Sequence, residues 1–292
     1  MLQPESWTVA RLLKWTTDYL GSRGSDSPRL DAEVLLAKSL GCQRIDLYTA
    51  FEKVPDEGVR SAFRELVLRR AKGMPVAYLV GFREFYSLPF RVTPDVLIPR
   101  PETEFLVIAL LDIAKRRSNQ ASIEICDIGT GSGIVAICVA KHLENACVTA
   151  VDLSSAALQV ASANVADHGL SDRIELIESD LFKSVPSERR FDFVVSNPPY
   201  ISSTEMESLA PGVKDYEPRL ALESGPRGTE VIEKIVVQSA ERLLVGGYLL
   251  IEISPMIHDA VFDLIESDGH FELVQTVQDL ARLPRVVKAV RK

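Results

Sequence analysis

Two short segments of this 292-residue chain carry residue types that could do chemistry together. The first is Asn197-Pro198-Pro199-Tyr200. Asn197 offers a side-chain carbonyl acceptor. Pro198 and Pro199 supply carbonyls without N–H donors, at fixed φ. Together, Asn197 Oδ1 and the Pro198 carbonyl can accept both hydrogens of a planar –NH₂ group, and Tyr200 can stack on its plane. Such a clamp orients a weakly nucleophilic amide or exocyclic amine and leaves the nitrogen lone pair facing a methyl donor. Transfer from an activated sulfonium needs placement more than acid–base work, and near-attack placement can be worth about 7–11 kcal/mol. A strong general base is not needed, which fits a chain whose histidines (His142, His168, His258, His270) lie outside the segment.

The second segment is the run 127–133, Asp-Ile-Gly-Thr-Gly-Ser-Gly. Gly129, Gly131 and Gly133, interleaved with Thr130 and Ser132, permit a tight turn and close approach of a ligand to the backbone. The next strand ends in Asp152, 19 residues past Gly133, where a carboxylate can accept both hydroxyls of a ribose. A dinucleotide loop would read GxGxxG, but Ile134 stands where its third glycine would fall. A ligand with an amino-acid tail and a ribose, S-adenosylmethionine, suits the loop better than a pyrophosphate does. Asp180 and Leu181 end the following strand, placed to meet an adenine: Asp180 accepts from its amine and Leu181 offers a backbone amide. Each feature also has a plain structural reading. The glycines alone make a tight turn, Asp152 can cap a helix (a job Ser154 already fits), Leu181 can pack in a core, and the proline pair can end a strand.

These residues need a rigid frame, and the hydrophobic pattern supplies one. From residue 122 onward strands and helices alternate. Strands are expected at 123–129, 147–152, 174–180, 191–196, 248–253, 271–277 and 285–290. Helices are expected at 133–143, 154–168, 229–244 (ended by Gly246-Gly247) and 257–268. Repeated βα units imply a mostly parallel sheet covered on both faces, and the closely linked last two strands imply an antiparallel edge. The fold class is therefore α/β, with a Rossmann-like domain behind a small all-α domain and a β-hairpin. The helical domain spans 1–80, with helices at 6–20, 28–40 (Pro28 opening, Gly41 closing) and 56–72, and a turn at 44–50. Residues 81–97 form the hairpin linker, turning at Ser87–Pro89, and 98–292 the catalytic domain. Pro101 can open a helix, and Glu102 and Glu104 favour that end of its dipole.

Composition narrows the classes. Hydrophobic residues make up 46% and charged residues 25%, a globular balance that excludes a disordered or low-complexity chain. The apolar run Phe105–Leu111 is far short of the ~20 residues a membrane span needs. Glu5 and Arg11 stand where a secretion signal would be apolar, so a cytoplasmic protein with no membrane association is expected. Cys42, Cys126, Cys138 and Cys147 form no CxxC pair, the histidines show no ligand spacing, and no metal is expected. Net charge is −8, divided as +2 over residues 1–85 and −10 over the rest. An acidic major domain argues against nucleic acid as substrate.

With these motifs in hand, the chain resembles the HemK/PrmC family over nearly its whole length. The shared segments are 127–133, 197–201 (NPPYI), 98–104 (IPRPETE), 179–182 (SDLF), 217–230 and 285–289. The resemblance implies S-adenosylmethionine-dependent methylation of the glutamine side-chain amide in the GGQ motif of peptide-chain release factors. It implies a helical N-terminal domain that binds the release factor, and a monomer is expected. It places Gly129 to Gly133, Asp152 and Leu181 at the cofactor, Asn197 between cofactor and substrate, and Pro198 to Tyr200 in the glutamine pocket. Pro101, Glu102 and Thr103 match a segment that closes over the active site. The chain departs from the family at Glu252-Ile253-Ser254-Pro255-Met256, which lacks the usual Gly and Gln, and at Asp279–Arg282, where a glycine is replaced. Two related activities share the NPPY segment: glutamine methylation of a ribosomal protein, and adenine amino-methylation of DNA, which would require base flipping and phosphate contacts. A nicotinamide-dependent oxidoreductase or a binding-only module fits the motif set less well.

Overall fold

Ile125, Phe193, Val195 and Leu250 pack on one face of a sheet, and Cys126, Val194, Leu249 and Ile251 pack on the other. That period-2 division of continuous apolar runs is what a sheet covered on both sides requires. The computed structural model of the chain describes residues 6–117 and 122–292. Glu5, part of the reading of the first residues as no signal segment, lies outside them. No helix among the described residues is long and apolar enough to cross a membrane.

The described chain forms two units. One runs through Phe82 and takes in Pro211–Tyr216. It holds helices α1 (Val9–Ser22), α2 (Pro28–Leu40) and α3 (Glu57–Ala71). Thr8 Oγ1 caps α1 through the Arg11 N–H, and Asp56 Oδ1 caps α3 through the Val59 N–H at 2.9 Å. Leu13, Leu20, Leu35, Leu36, Phe63 and Val67 form the core between them. A short helix at Val76–Val80, absent from the sequence reading, adds Leu79 and Val80 to that core. Tyr216 joins the unit by donating its hydroxyl to the Lys72 carbonyl.

The second unit comprises Arg83–Ala210 and Glu217–Lys292. Strands β1 (Phe82–Phe85) and β2 (Leu88–Arg91) pair as a hairpin. Its turn is Tyr86–Ser87, both at positive φ, rather than Ser87–Pro89. Pro89 sits inside β2, which a two-stranded ribbon tolerates because each strand has a free edge. After Pro101–Thr103, a turn that proline opens, comes α4 (Glu104–Ala114). The βα succession is β3 (Ile123–Ile128), α5 (Ile134–His142), β4 (Ala146–Asp152), α6 (Ser155–Asp167), β5 (Ile174–Glu178) and β6 (Phe191–Ser196). A two-stranded parallel patch, β7 (Ile201–Ser202) with β8 (Glu223–Gly225), was not foreseen. Then follow α7 (Glu230–Arg242), β9 (Leu243–Glu252), α8 (His258–Asp268), β10 (Phe271–Leu273), β11 (Val277–Gln278) and β12 (Pro284–Arg291).

The main sheet runs β10-β12-β9-β6-β3-β4-β5, with β11 beside β12. β9, β6, β3, β4 and β5 are parallel, and β12 is antiparallel to both β9 and β10. Two sequence expectations are corrected. Gly246-Gly247 do not end a helix reaching Leu244. The helix stops at Arg242, and the glycines lie within β9, where the register against β6 shifts. Gly246, at φ 76, and Gly247 fall between the Leu243–Phe191 and Tyr248–Phe193 pairs, where the ladder bulges and glycine's conformational freedom suits it. The run 271–277 is likewise two short strands, not one.

The departures from the family pattern have local explanations. Arg282 takes φ 63, the left-handed conformation a glycine would adopt there. Asp279 stabilises that turn by accepting from the Ala281 and Leu283 amides and from Arg285. At the other departure Ser254 Oγ accepts from the Met256 N–H and opens a short turn at Pro255–Ile257.

Candidate active site

Register brings the motif residues together. Ile128 on β3 lies opposite Ser196 on β6 and Val151 on β4, so the carboxyl ends of three parallel strands are level. β5 continues the row, with Glu178 opposite Asp152. Ser196 Oγ, fully buried, donates to the Ile128 carbonyl at 2.7 Å and locks the end of β6 to the end of β3. The strand order reverses between β3 and β6, and ligands of open α/β sheets bind at such switch points. One cavity opens there. Gly129 to Ser132, Asp152, Asp180 and Leu181 line it, and so do Asn197, Pro198 and Pro199.

The glycine loop is built from within. Gly129 and Thr130 donate their amides to the Val151 carbonyl, and Gly133 donates to the Thr130 carbonyl. Asp127, fully buried at the end of β3, accepts from the Thr130 hydroxyl at 2.7 Å and from the Ala136 amide. Burial pushes its carboxyl up to about 6, against the pull of those two donors. Asp127 begins the glycine motif, yet its part in holding Thr130 went unread; an acid just before a glycine loop is the signal that could have found it. Asn164 on α6 donates to the Ser132 carbonyl at 2.8 Å and fixes the far side of the loop.

Gly133 does not line the cavity. It caps α5 at φ 84, and a Cβ there would stand 3.2 Å from Ile137 Cδ1 and 3.5 Å from Ala161 Cβ. Gly133→Ala is expected to destabilise the second unit by about 1–3 kcal/mol through left-handed strain and crowding. Denaturant unfolding checks this, and an unchanged midpoint would remove the packing argument.

Asp152 ends β4 with both oxygens engaged. Oδ2 accepts from the Gly131 amide at 2.8 Å and Oδ1 from the Ser154 amide at 2.9 Å. Ser154 in turn caps α6 through the Ala157 N–H. Burial raises the Asp152 carboxyl, and the amides of Ser154, Gly131 and Leu153 oppose that rise. A carboxylate has about four lone-pair directions, so acceptor capacity remains for a ligand. Asp180 is half exposed and carries Lys183 Nζ at 2.6 Å. Leu181 takes φ 54, a conformation a leucine rarely adopts, at the cavity wall.

Asn197 follows β6 directly. Its Nδ2 donates to Thr103 Oγ1 at 3.0 Å, which leaves Oδ1 as the amide atom open to a ligand. Thr103 is fully buried, and its hydroxyl lies beside the buried Glu252 carboxylate, where it opposes the rise that burial gives that carboxyl. Tyr200 is not among the cavity's lining residues; it packs against the core on the α7 and α8 side of the sheet. Burial raises its phenol, with the Glu252 charge adding to the effect. The chain just past the motif is pinned by Gly228 (φ 80), where a Cβ would lie 2.8 Å from the Tyr200 carbonyl oxygen.

The cavity rim joins the linker to the segment after residue 217. Glu217, buried, accepts from Arg100 Nη2 and from the Ile98 amide. Pro99, Arg100 and Pro218 all line the cavity, so this pair closes one wall. Removing one partner of a buried ion pair strands the other, so Glu217→Ala is expected to cost about 3 kcal/mol, the lower part of the usual range because Arg100 is one-third exposed. Thermal unfolding tests this; a loss under about 1 kcal/mol, the worth of a surface pair, would make the contact a surface one in effect.

The donor set fits a nucleoside carrying an amino-acid tail. It combines a loop that bares backbone near Gly129 to Ser132, a carboxylate at Asp152, and apolar walls from Leu153, Leu181 and Ile235. Among known proteins, residues 11–81 match the family described as PrmC N-terminal domain, and residues 103–210 match the methyltransferase small domain. The release factor glutamine methyltransferase of Rhodopirellula baltica is 52% identical over 282 residues, which is 96% of this chain and 95% of that one. The one from Geobacter sulfurreducens is 40% identical over 285 residues, covering 98% and 97%. Among solved structures, the T. thermophilus 16S rRNA methyltransferase RsmC in complex with AdoMet and guanosine shares the fold, with TM-score 0.51 and 19% identity over 72% of this chain and 50% of that one.

Proposed function

The chain belongs to the family of release factor glutamine methyltransferases, and from that premise we propose how its residues divide the work of methylating the glutamine of the GGQ motif. S-adenosylmethionine supplies the methyl group when bound. The observation that carries the reading is that the glycine loop and Asn197-Pro198-Pro199 line one cavity. A donor seat and an acceptor clamp that share a cavity are what an in-line transfer requires.

On this reading Gly129 to Ser132 present backbone to the amino-acid tail, and Asp152 accepts from the ribose. Asp180 and Leu181 meet the adenine. Asn197 Oδ1 and the Pro198 carbonyl accept the two hydrogens of the glutamine amide. They stabilise the partial positive charge that builds on its nitrogen as the methyl group arrives. Pro199 shapes the pocket. Tyr200, packed in the core, supports the Pro198–Pro199 backbone and comes to the glutamine plane only if its ring moves. Residues 1–80 recognise the release factor, 81–97 form the linking hairpin, and 98–292 carry out the transfer. A protein substrate agrees with the acidic balance of residues 86–292. A translation factor as substrate supports a cytoplasmic site of action, and action as a monomer belongs to the same reading.

The test is transfer of labelled methyl from S-adenosylmethionine to a purified release factor. A GGQ glutamine-to-alanine version, a ribosomal protein and a DNA duplex run alongside. Label on the wild-type factor alone is the expected result. Label on the alanine version, the ribosomal protein or the duplex would overturn the acceptor assignment.

A further inference from the structure

Glu252 is an expensive residue in its place. It ends β9 with 1% of its surface exposed, and its Oε2 has no hydrogen-bond partner among the described residues. Burying a carboxylate with half its acceptor capacity unmet costs stability, and such groups in native proteins call for a reason. Its other contact points to one. The Thr103 hydroxyl accepts from Asn197 Nδ2 at 3.0 Å, and the same hydroxyl lies beside Glu252, near enough to hold its carboxyl down.

We propose that Glu252 is a positioning residue for methyl transfer: through the Thr103 hydroxyl it decides which end of the Asn197 amide faces the acceptor. This rests on the reading that Asn197 Oδ1 clamps the glutamine amide. A primary amide presents an acceptor at one end and a donor at the other, and the two ends have nearly the same shape. Asn197 alone has little to keep it from rotating by half a turn, which would aim Nδ2 at the glutamine –NH₂ and destroy the clamp. Thr103 does not settle the matter alone either, because a hydroxyl both donates and accepts. An ionised carboxylate only accepts. It draws the Thr103 hydrogen to itself, turns the oxygen lone pairs toward Asn197, and so holds Nδ2 there and Oδ1 outward.

Protonation reverses the relay. A neutral Glu252 can donate to Thr103, which frees the hydroxyl hydrogen to point at Asn197 and favours the turned amide. Burial pushes the Glu252 carboxyl up to about 7. The charged and titratable groups around it are Arg100 and Glu102 from the segment before α4, Arg285 from β12, and Tyr200. Glu102 raises it further, while Arg100 and Arg285 lower it; Arg100 is held by Glu217 and Arg285 by Asp279. The clamp is therefore set above neutrality and lost below it.

The experiment is single-turnover methyl transfer to release factor at saturating S-adenosylmethionine from pH 5.5 to 8.5, with cofactor affinity measured by calorimetry, for wild type, E252Q, T103V and T103S. Wild-type transfer is expected to fall as pH drops through about 7. E252Q and T103V are expected to lower the rate constant at pH 8 about 10- to 100-fold, with cofactor affinity within about twofold, because a misplaced clamp loses rate rather than binding. Both should lose the acid limb of the profile. T103S keeps the hydroxyl and should keep rate and limb alike. A purely structural Glu252 would lower the unfolding temperature and leave the acid limb in place. E252Q or T103V with the wild-type rate, or with the acid limb intact, overturns the proposal. If E252Q does not fold, the T103V and T103S pair decides it. A wild-type protein that methylates no release factor overturns the functional reading and this inference with it, whereas active wild type beside equally active E252Q overturns the inference alone.

Discussion

Asn197→Ala is expected to leave S-adenosylmethionine affinity close to wild type while methyl transfer at saturating substrate falls about 10²–10³-fold. The split follows from where the side chain sits. Asn197 stands at the end of β6, and its backbone position is secured by Ser196 bonding to the Ile128 carbonyl, not by its own amide. Truncation therefore removes Oδ1 and the Thr103 partner without loosening the strand end or the glycine loop. What disappears is an acceptor that matters most when positive charge gathers on the attacking nitrogen, so the loss falls on the transition state rather than on ground-state binding. In free energy the drop corresponds to about 2.7–4 kcal/mol, the size found when one preorganised hydrogen-bonding group is removed from an active site. The checks are calorimetric affinity for the cofactor and single-turnover transfer, with folding monitored by thermal unfolding. A folded Asn197→Ala protein that binds cofactor poorly would show that Asn197 belongs to the donor seat. One that transfers at the wild-type rate would remove Asn197 from the clamp.

The parts of the site legible in the chain are those whose signal is local. Glycines at alternate positions between a strand pattern and a helix pattern, an aspartate closing the next strand, and two prolines after the third strand beyond the loop each speak through immediate neighbours. Parallel register then does the rest, since strands of similar length starting from one side end level on the other. The missed parts depend on partners distant in sequence. In sequence Thr103 stands in the segment 98–104, and Glu252 in a departure from the family pattern. Nothing near either residue tells that they meet at Asn197. Tyr200 carries a different ambiguity: an aromatic next to two prolines looks like a stacking surface, and the same ring can also pack beside α7 and α8, as it does in the structure. Gly246 and Gly247 show the same dependence on distant partners: only the pairing of Leu243 with Phe191 carries the strand back across them, as a bulge.

Asp152→Ala puts the donor side of the cavity to a separate trial. The carboxylate accepts from the Gly131 amide, which shapes the loop, and on the proposed reading its remaining lone pairs meet the ribose hydroxyls. Losing hydrogen bonds to a charged group costs about 1.5–3 kcal/mol, so the dissociation constant for S-adenosylmethionine should rise about 10- to 150-fold. At saturating cofactor the rate constant should change little, because the ribose contact is the same in the ground and transition states. Asp152→Asn keeps one acceptor and can still face Gly131, so its effect should be smaller. The pH dependence has a defined sign. Burial raises this carboxyl, so it takes up a proton at a higher pH than an exposed aspartate. A protonated group has lost acceptor capacity, and affinity should therefore weaken as pH falls, earlier than an ordinary aspartate would predict, and Asp152→Ala should lose that dependence. Calorimetry across pH separates these outcomes. Unchanged affinity in a folded Asp152→Ala protein would mean that the ribose is held elsewhere, and that the carboxylate serves only the Gly131 and Ser154 amides it already holds.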